Sequence, residues 1–338
     1  MVTIYDIAEK TGLSPATVSK VFNGYNGVSE KAKKLVLTAA NEMGYTPNTN
    51  ARALVTKKAW LLGVLFNDNI GAGIAHPHYS QILQSFHKTA EVYGYDVVFV
   101  NGQLGDRKIS YADHCRYRGV DGVLLAADEN IRDDIQCVLD SGIKCVSVEG
   151  VYPGVSTVIT DNMLGTRQAL EYLYYLGHRR IAHIAGPQAS VAGRERFEAY
   201  VEFLASKGIP FDPKLVVYSE YYDQQSKMDV ASMLLQQCWD DMPTAIYAVY
   251  DEVACATQLF LMNQGFRIPR DMSIIGFDDL MITEYTTPPM TTIAQDREAI
   301  GQTAAKVLID MIENNSPAAA QQIRIPPRLV VRGSCARI

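Results

Sequence analysis

Short apolar runs recur along most of this chain with helix-length stretches between them, and that alternation limits the fold more than any other feature. The runs are Leu61-Leu-Gly-Val-Leu-Phe66, Val97-Val-Phe-Val100, Gly122-Val-Leu-Leu-Ala126, Lys144-Cys-Val-Ser-Val148, Arg180-Ile-Ala-His-Ile-Ala185, Leu215-Val-Val217, Ala245-Ile-Tyr-Ala-Val249 and Ser273-Ile-Ile-Gly-Phe277. Helical spacing between them predicts helices near 77–93, 107–118, 131–141, 161–176, 191–207, 225–238 and 252–264. Apolar strands separated by helices make parallel sheets covered on both faces. The series runs once before Asp161 and again after it, so two doubly wound lobes are expected. Such sheets bind ligands at the carboxyl ends of their strands, and two facing lobes make a cleft.

Residues 1–58 do not share this pattern. They hold eight Lys/Arg against four Asp/Glu, net +4, leaving 23 basic and 33 acidic residues, net -10, for 59–338. That reversal of sign within a chain of net charge -6 suggests a DNA-binding head on an acidic body. No apolar run reaches the roughly 18–20 residues of a membrane span. The N-terminus shows no basic or apolar leader pattern, and the six cysteines form no CxxC pair, so buried reduced thiols and a cytoplasmic location are expected.

Within the head, Thr3-Ile-Tyr-Asp6 has the form of a capping box and Gly12 ends the helix it opens. Ser14 can cap a second helix with Pro15 at its first position, where the missing N–H costs nothing. Val18, Val21 and Phe22 give that helix one buried face. Ser29 and Glu30 open a third, lined by Leu35, Val36, Ala39, Ala40 and Met43 and closed by Gly44. Two short helices joined by a Gly-containing turn make a helix-turn-helix, whose second helix enters the major groove. A small helical subdomain without a DNA role fits the same pattern.

The stretch Tyr5-Asp-Ile-Ala-Glu-Lys-Thr-Gly-Leu-Ser-Pro-Ala-Thr-Val-Ser-Lys-Val-Phe-Asn-Gly24 resembles the head of the lactose/galactose repressor (LacI/GalR) family, and Gly44-Tyr-Thr-Pro-Asn-Thr-Asn-Ala-Arg-Ala-Leu54 resembles its hinge. Asp161-Asn162 with Gly165, Leu176-Gly-His-Arg-Arg-Ile-Ala182, Gly193-Arg-Glu-Arg-Phe197, Asp251-Glu-Val-Ala254, Ile275-Gly-Phe-Asp-Asp279 and Pro289-Met-Thr-Thr-Ile-Ala-Gln-Asp296 extend the resemblance to the C-terminus. It implies a three-helix DNA-binding head over 1–46, a hinge helix over 47–58, and a periplasmic-binding-protein-like core over 59–338. Lobe 1 would take about 59–161 and 291–321, lobe 2 about 162–290 and 322–338. The chain would cross near 160–162, 289–292 and 318–323. The implied partners are a palindromic double-stranded DNA operator, a second copy of the chain, and a small-molecule effector, a sugar or sugar derivative. No cofactor, metal, membrane or catalytic residue is implied.

By the resemblance, Pro15, Ala16 and Lys20 stand at base-reading positions. Lys20 replaces a frequent Arg and lacks its bidentate fork. Thr17, Ser19 and Asn23 match phosphate or sugar contacts, although local backbone bonding explains Thr17 and Ser19 as well. Thr3 is a further candidate for contact with DNA. A hinge helix this short is marginal alone in water. In the family, paired hinge helices wedge a leucine into the minor groove; Leu54 holds that position, beside Arg52 and Asn48, and its alternative is to pack on the body.

For the effector, Arg196 matches the family's ligand-binding arginine, whose fork can clamp vicinal hydroxyls or a carboxylate. Asp251 matches an acid at a strand's C-terminal end, and Tyr222 an aromatic that stacks on a sugar face. His78 and Tyr79 begin a first-lobe helix that often touches ligand; Glu149, Asn162 and Asp278 complete the candidates. The plainer readings are that Asp251 caps its helix, that Arg196 pairs with Glu195 or Asp161, and that His78 is a surface residue. Tyr250 departs from the small or amide residue common there, so the ligand cannot be copied from a relative. Two other classes fit less. Gly71-x-Gly73 lacks the third glycine of a dinucleotide loop, with His76 in its place. A free-standing sugar-binding protein would have no use for residues 1–58.

Overall fold

The computed structural model describes residues 2–22, 27–45, 58–67, 73–127, 132–219, 224–314 and 319–338. Asn23, Asn48, Arg52, Leu54 and Tyr222 lie outside these residues. The chain divides into two compact units, Met1–Leu61 with Gly119–Asp121, and Leu62–Arg118 with Gly122–Ile338.

The first unit contains three helices, α1 (Ile4–Thr11), α2 (Pro15–Phe22) and α3 (Glu30–Met43). Each begins where a side chain takes up an orphan N–H. At α1 the Thr3 N–H donates to Asp6 at 2.7 Å and the Asp6 N–H to Thr3 Oγ1 at 3.4 Å, a complete capping box. Ser14 accepts the Thr17 N–H at 3.1 Å, and Ser29 accepts the Ala32 N–H at 3.3 Å. Gly12 and Gly44 end α1 and α3 at φ 68° and 64°, where a side chain would be strained. Ile7, Val18 and Val36, one from each helix, are fully buried together with Ala8, Ala39 and Ala40. Truncating such a residue costs about 2–5 kcal/mol, so these three hold the unit together.

The second unit contains two sheets. The larger has the order β13-β7-β6-β5-β1-β2. Its strands are β1 (Leu61–Asn67), β2 (Asp96–Val100), β5 (Gly122–Ala127), β6 (Lys144–Ser147), β7 (Ser156–Thr160) and β13 (Gln322–Ile325). The β1–β5, β5–β6, β6–β7 and β7–β13 pairs run parallel. Strands β3 (Gln103–Leu104) and β4 (Arg107–Lys108) form a separate hairpin. The smaller sheet has the order β11-β10-β8-β9, built from β8 (Ile181–Ala185), β9 (Val216–Tyr218), β10 (Ala245–Ala248) and β11 (Ser273–Ile275), again parallel. β12 (Thr292–Ala294) and β14 (Arg328–Val330) pair antiparallel, and single bridges from Ile275 to Thr291 and Asp278 to Ala294 attach them to this lobe. The helices are α4 (Pro77–Val92), α5 (Tyr111–Arg118), α6 (Arg132–Asp140), α7 (Asn162–Tyr175), α8 (Val191–Ser206), α9 (Gln224–Cys238), α10 (Asp251–Asn263), α11 (Ile282–Tyr285) and α12 (Arg297–Asn314).

The α/β alternation is as expected, with three local differences. Ser156–Thr160 is a fully buried strand that the expected series omits. The helix expected from 107 starts at Tyr111, because Gly105 turns left-handed at φ 61° and folds Arg107–Lys108 back onto Gln103–Leu104. The later crossings fall further along: β12 still belongs to the second lobe, and β13 pairs with β7 in the first. The second and third crossings therefore lie between Ala294 and Arg297 and between Ile325 and Arg328, not near 289–292 and 318–323. After the second crossing α12 packs along α4, where Ser85 Oγ donates to the Glu298 carbonyl at 2.7 Å. Cys115, Cys145 and Cys238 are buried while Cys137 is exposed, and all six cysteines are free thiols. Among the described residues no helix is long and apolar enough to cross a membrane.

Candidate functional site

The head presents one side of α2 outward. Val18 turns into the core, whereas Ala16 and Lys20, four residues apart and so on one face, are exposed. Lys20 makes no ion pair or hydrogen bond among the described residues, so its charge is open to an external partner. Pro15 and Ser19 are half-buried beside that face. The Thr17 hydroxyl sits 2.9 Å from Ser14 Oγ, which makes it part of the cap and favours the local-bonding reading. Thr3 is likewise held by its capping box, through a hydroxyl 2.8 Å from Asp6.

The second unit carries a cleft between its sheets, at the carboxyl ends of β1, β6, β7, β8 and β10, where a parallel sheet offers loop and helix starts to a ligand. His78, Tyr79, Glu149, Asn162, Arg196 and Asp278 all line it. Asn162 opens α7, whose first turn is capped by Asp161 accepting the Leu164 N–H at 2.9 Å. Arg196 stands near the start of α8. The Ser190 cap of α8 accepts the Gly193 N–H at 2.9 Å, and a Cβ at Gly193 would lie 2.2 Å from the Pro187 carbonyl oxygen, so only glycine permits this turn.

Arg196 is 4% exposed and already well occupied. Its Nε donates to Asn162 Oδ1 at 3.0 Å, its Nη1 donates to the Val249 carbonyl, and Asp278 Oδ1 lies 3.9 Å away. Its guanidinium lies 3.5 Å above the Phe277 ring. Glu195, offered in sequence as a partner for Arg196, instead binds Arg324 at 2.7 Å and Asn162 Nδ2 at 3.0 Å. Asp278 sits at φ 119° and Asp279 at φ 58°, uncommon for residues with side chains. The loop is held by Arg297 donating to the Asp278 carbonyl and by Gln295 donating to its carboxylate. Burial raises the Asp278 carboxyl above its usual range, and the nearby Arg196 and Arg297 oppose that rise.

Asp251 is a correction. It is fully buried behind the wall and does not line the cleft. Its carboxylate accepts the Leu280 N–H at 2.8 Å and the Thr292 hydroxyl, and a Cβ at Gly276 would fall 2.2 Å from Asp251 Oδ1. Asp251 thus positions the 276–280 loop. Burial, with Asp278 nearby, pushes its carboxyl well above the carboxylate range. The next residue, Glu252, does face the cleft, because one helical step turns a side chain by about 100°. Buried Lys227 donates to Glu252 and lies 5.6 Å from the Tyr250 ring.

On the first-lobe side His76 caps α4, accepting the His78 N–H at 3.2 Å. His78 Nε2 is 3.9 Å from Glu149, so His78 is a cleft residue and not a surface one. Burial, then the charges of Arg297, His76 and Arg196, hold its imidazole well below the usual pKa and therefore neutral. Tyr79 packs edge-on against Phe66 at 5.2 Å, and Tyr250 faces the cleft with its hydroxyl 3.2 Å from Ser219. Sequence reasoning missed Glu252, Thr160 and Gln295, although Gln295 stands in the quoted 289–296 motif, and Thr160 Oγ1 donates to Gln295 Oε1 across two of the crossings.

The chain is similar to known proteins over its whole length. Residues 3–48 match the family model described as bacterial regulatory proteins, lacI family, and residues 170–335 match the periplasmic binding protein-like domain. The chain is 34% identical to the HTH-type transcriptional regulator CelR of Thermobifida fusca, with 98% of each chain covered. It is similar to the solved complex of the transcriptional regulator CelR with cellobiose, at TM-score 0.71 and 31% identity, covering 99% of this chain and all of that one. It is also similar to the lac repressor dimer bound to operator and the anti-inducer ONPF, at TM-score 0.80 and 26% identity over 99% of each chain.

Proposed function

The chain belongs to the lacI family of bacterial regulatory proteins and is a DNA-binding transcription regulator, and from that premise we propose that it is a cytoplasmic repressor that grips a palindromic operator as a homodimer and is switched by a sugar in its cleft. One observation carries the sugar reading. The cleft gathers hydrogen-bonding side chains from both lobes, Glu149 and His78 from one and Arg196, Asn162 and Glu252 from the other, between the aromatic rings of Tyr79 and Tyr250. That is the lining a polyhydroxyl compound needs, with every hydroxyl met and an apolar ring face covered. Cellobiose in the CelR complex points the same way.

On the DNA side, Pro15, Ala16 and Lys20 meet base edges, and Ser19 and Asn23 meet phosphate or sugar. Asn48, Arg52 and Leu54 belong to a hinge whose leucine enters the minor groove. Because a ligand shifts an equilibrium only by its different affinity for two arrangements, the sugar acts by favouring one relation of the lobes. The test is selection of binding sites from random DNA, then gel retention of the selected site with and without a panel of sugars. A palindromic consensus, and a sugar that changes retention, are expected. Single half-sites bound as tightly as palindromes, or indifference to every sugar, would contradict the proposal.

A further inference from the structure

We infer that Glu195 is a positioning residue for the effector response: its carboxylate ties Arg324 of the first lobe to Asn162 and Arg196 of the cleft wall, so that the set of the ligand-facing groups and the relation of the lobes change together. This rests on the reading above that a sugar in the cleft switches operator binding, and gives that switch a path. Arg324 stands on β13, the outer strand of the larger sheet, in register with Ile159 of β7. It grips Glu195 with both arms of its fork, Nη2 donating to Oε1 at 2.7 Å and Nη1 to Oε2 at 3.0 Å. Oε2 also accepts from Asn162 Nδ2 at 3.0 Å, and Asn162 Oδ1 accepts from Arg196 Nε at 3.0 Å. Asn162 and Arg196 line the cleft, whereas Glu195 and Arg324 do not.

Two groups that touch no ligand thus set the direction of two that do. A carboxylate only accepts hydrogen bonds and a guanidinium only donates them, so Glu195 and Arg196 together fix which way the Asn162 amide points. Other bonds between the lobes join the crossing segments themselves, as Thr160 does with Gln295 and Arg297 with the Asp278 carbonyl. Glu195 instead lies on α8, 129 residues from Arg324, and its bond forms only in a lobe relation that brings α8 against β13. A fork also needs both carboxylate oxygens near its own plane, which makes it sensitive to rotation of one lobe against the other. The Arg324 side chain is 33% exposed, so water can replace the carboxylate without stranding a buried charge. That suits a joint that opens and closes.

The test is Arg324→Gln in the full-length protein. Retention of the selected operator is measured without sugar and with saturating cellobiose, glucose, galactose or ribose, and folding is checked by circular dichroism. Without sugar, operator affinity should differ from the parent's by about threefold or more, because one lobe relation has lost a bond that the other never had. With a sugar that acts on the parent, the ratio of operator affinities with and without it should shrink by about threefold or more, even at saturation. Loosened packing alone would weaken sugar binding and leave that saturated ratio as it was. Arg324→Lys keeps the charge without the fork, and should move both values in the same direction by less. Adding Glu195→Gln to Arg324→Gln should do no more than Arg324→Gln alone, since both cut one joint. Either value staying within about twofold of the parent's would overturn the inference and leave the sugar reading standing. If none of the four sugars alters retention by the parent, the sugar reading fails, and the sugar-free operator affinity alone decides whether the joint biases the lobes.

Discussion

The head and the cleft use their positive charge in opposite ways. In the head Lys20 stands exposed on α2 with no ion pair or hydrogen bond among the described residues, in a segment with twice as many basic as acidic residues. In the cleft Arg196 and Lys227 are each about 4% exposed and bonded within the protein. The first arrangement suits a polyanion, whose phosphates supply the missing partners and release counterions. The second makes cations into parts of a wall. Removing a cleft cation should therefore damage the fold, and removing Lys20 should damage only DNA binding.

The largest effect is expected at Arg196. Arg196→Met keeps the bulk but leaves Asn162 and the Val249 carbonyl without their donor and Asp278 without a cation. Breaking a buried pair on one side costs about 3–5 kcal/mol, so the thermal midpoint of the core should fall and the sugar response should vanish. A variant with unchanged melting and normal sugar binding would break the contrast. A similar magnitude comes from His183, which stacks 4.7 Å from Tyr247 and donates Nδ1–H to the Tyr247 carbonyl at 3.0 Å. Burial lowers its pKa to about 4 from 6.5. Below pH 6.5 the unfolded chain takes a proton that the folded chain refuses, so stability is full above that pH and is lost as pH falls toward 4. The loss is about 3 kcal/mol from this residue alone. Denaturant midpoints at pH 7 and pH 4.5 should differ less in His183→Gln than in the parent; equal differences would contradict the assignment.

Head substitutions should be smaller and of another kind. Lys20→Ala should cost about 1–3 kcal/mol of operator affinity and relax sequence preference at its base, with unchanged melting. A drop in melting temperature would mean that Lys20 serves the fold. Smallest is Lys10→Ala, which removes the exposed 2.7 Å pair with Glu42. Such pairs are worth less than about 1 kcal/mol, a difference that paired urea melts can bound.

The same contrast explains what could be read in advance. Caps and amphipathic faces are local, so the Thr3–Asp6 box, the Ser14 and Ser29 caps and the Gly12 and Gly44 stops are legible residue by residue. The alternation of strand and helix is equally local, and it places the cleft at the strand ends. What failed was non-local. Nothing in the apolar letters of Thr292–Ala294 or Gln322–Ile325 says which sheet will pair with them, so the crossings were set too early. Arg196, Asn162 and Asp278 were found through their motifs, but motifs do not reveal rotation. Asp251 turned inward to hold Leu280 and Thr292 while Glu252 took the wall, a difference of one helical step. Gln295 was overlooked because its partners, Thr160 and Asp278, are distant in sequence.

The central claim is that one small molecule in the cleft and one DNA site on the head govern each other through this chain. The most direct measurement is a pair of titrations at one salt concentration: operator affinity with and without saturating sugar, and sugar affinity with and without operator. Linkage requires the two ratios to be the same factor, and a coupling of about 1–3 kcal/mol gives roughly 5–150-fold in each. Equal ratios clearly different from one are the predicted result. A sugar that binds the cleft with the same affinity whether or not operator is present would contradict the account.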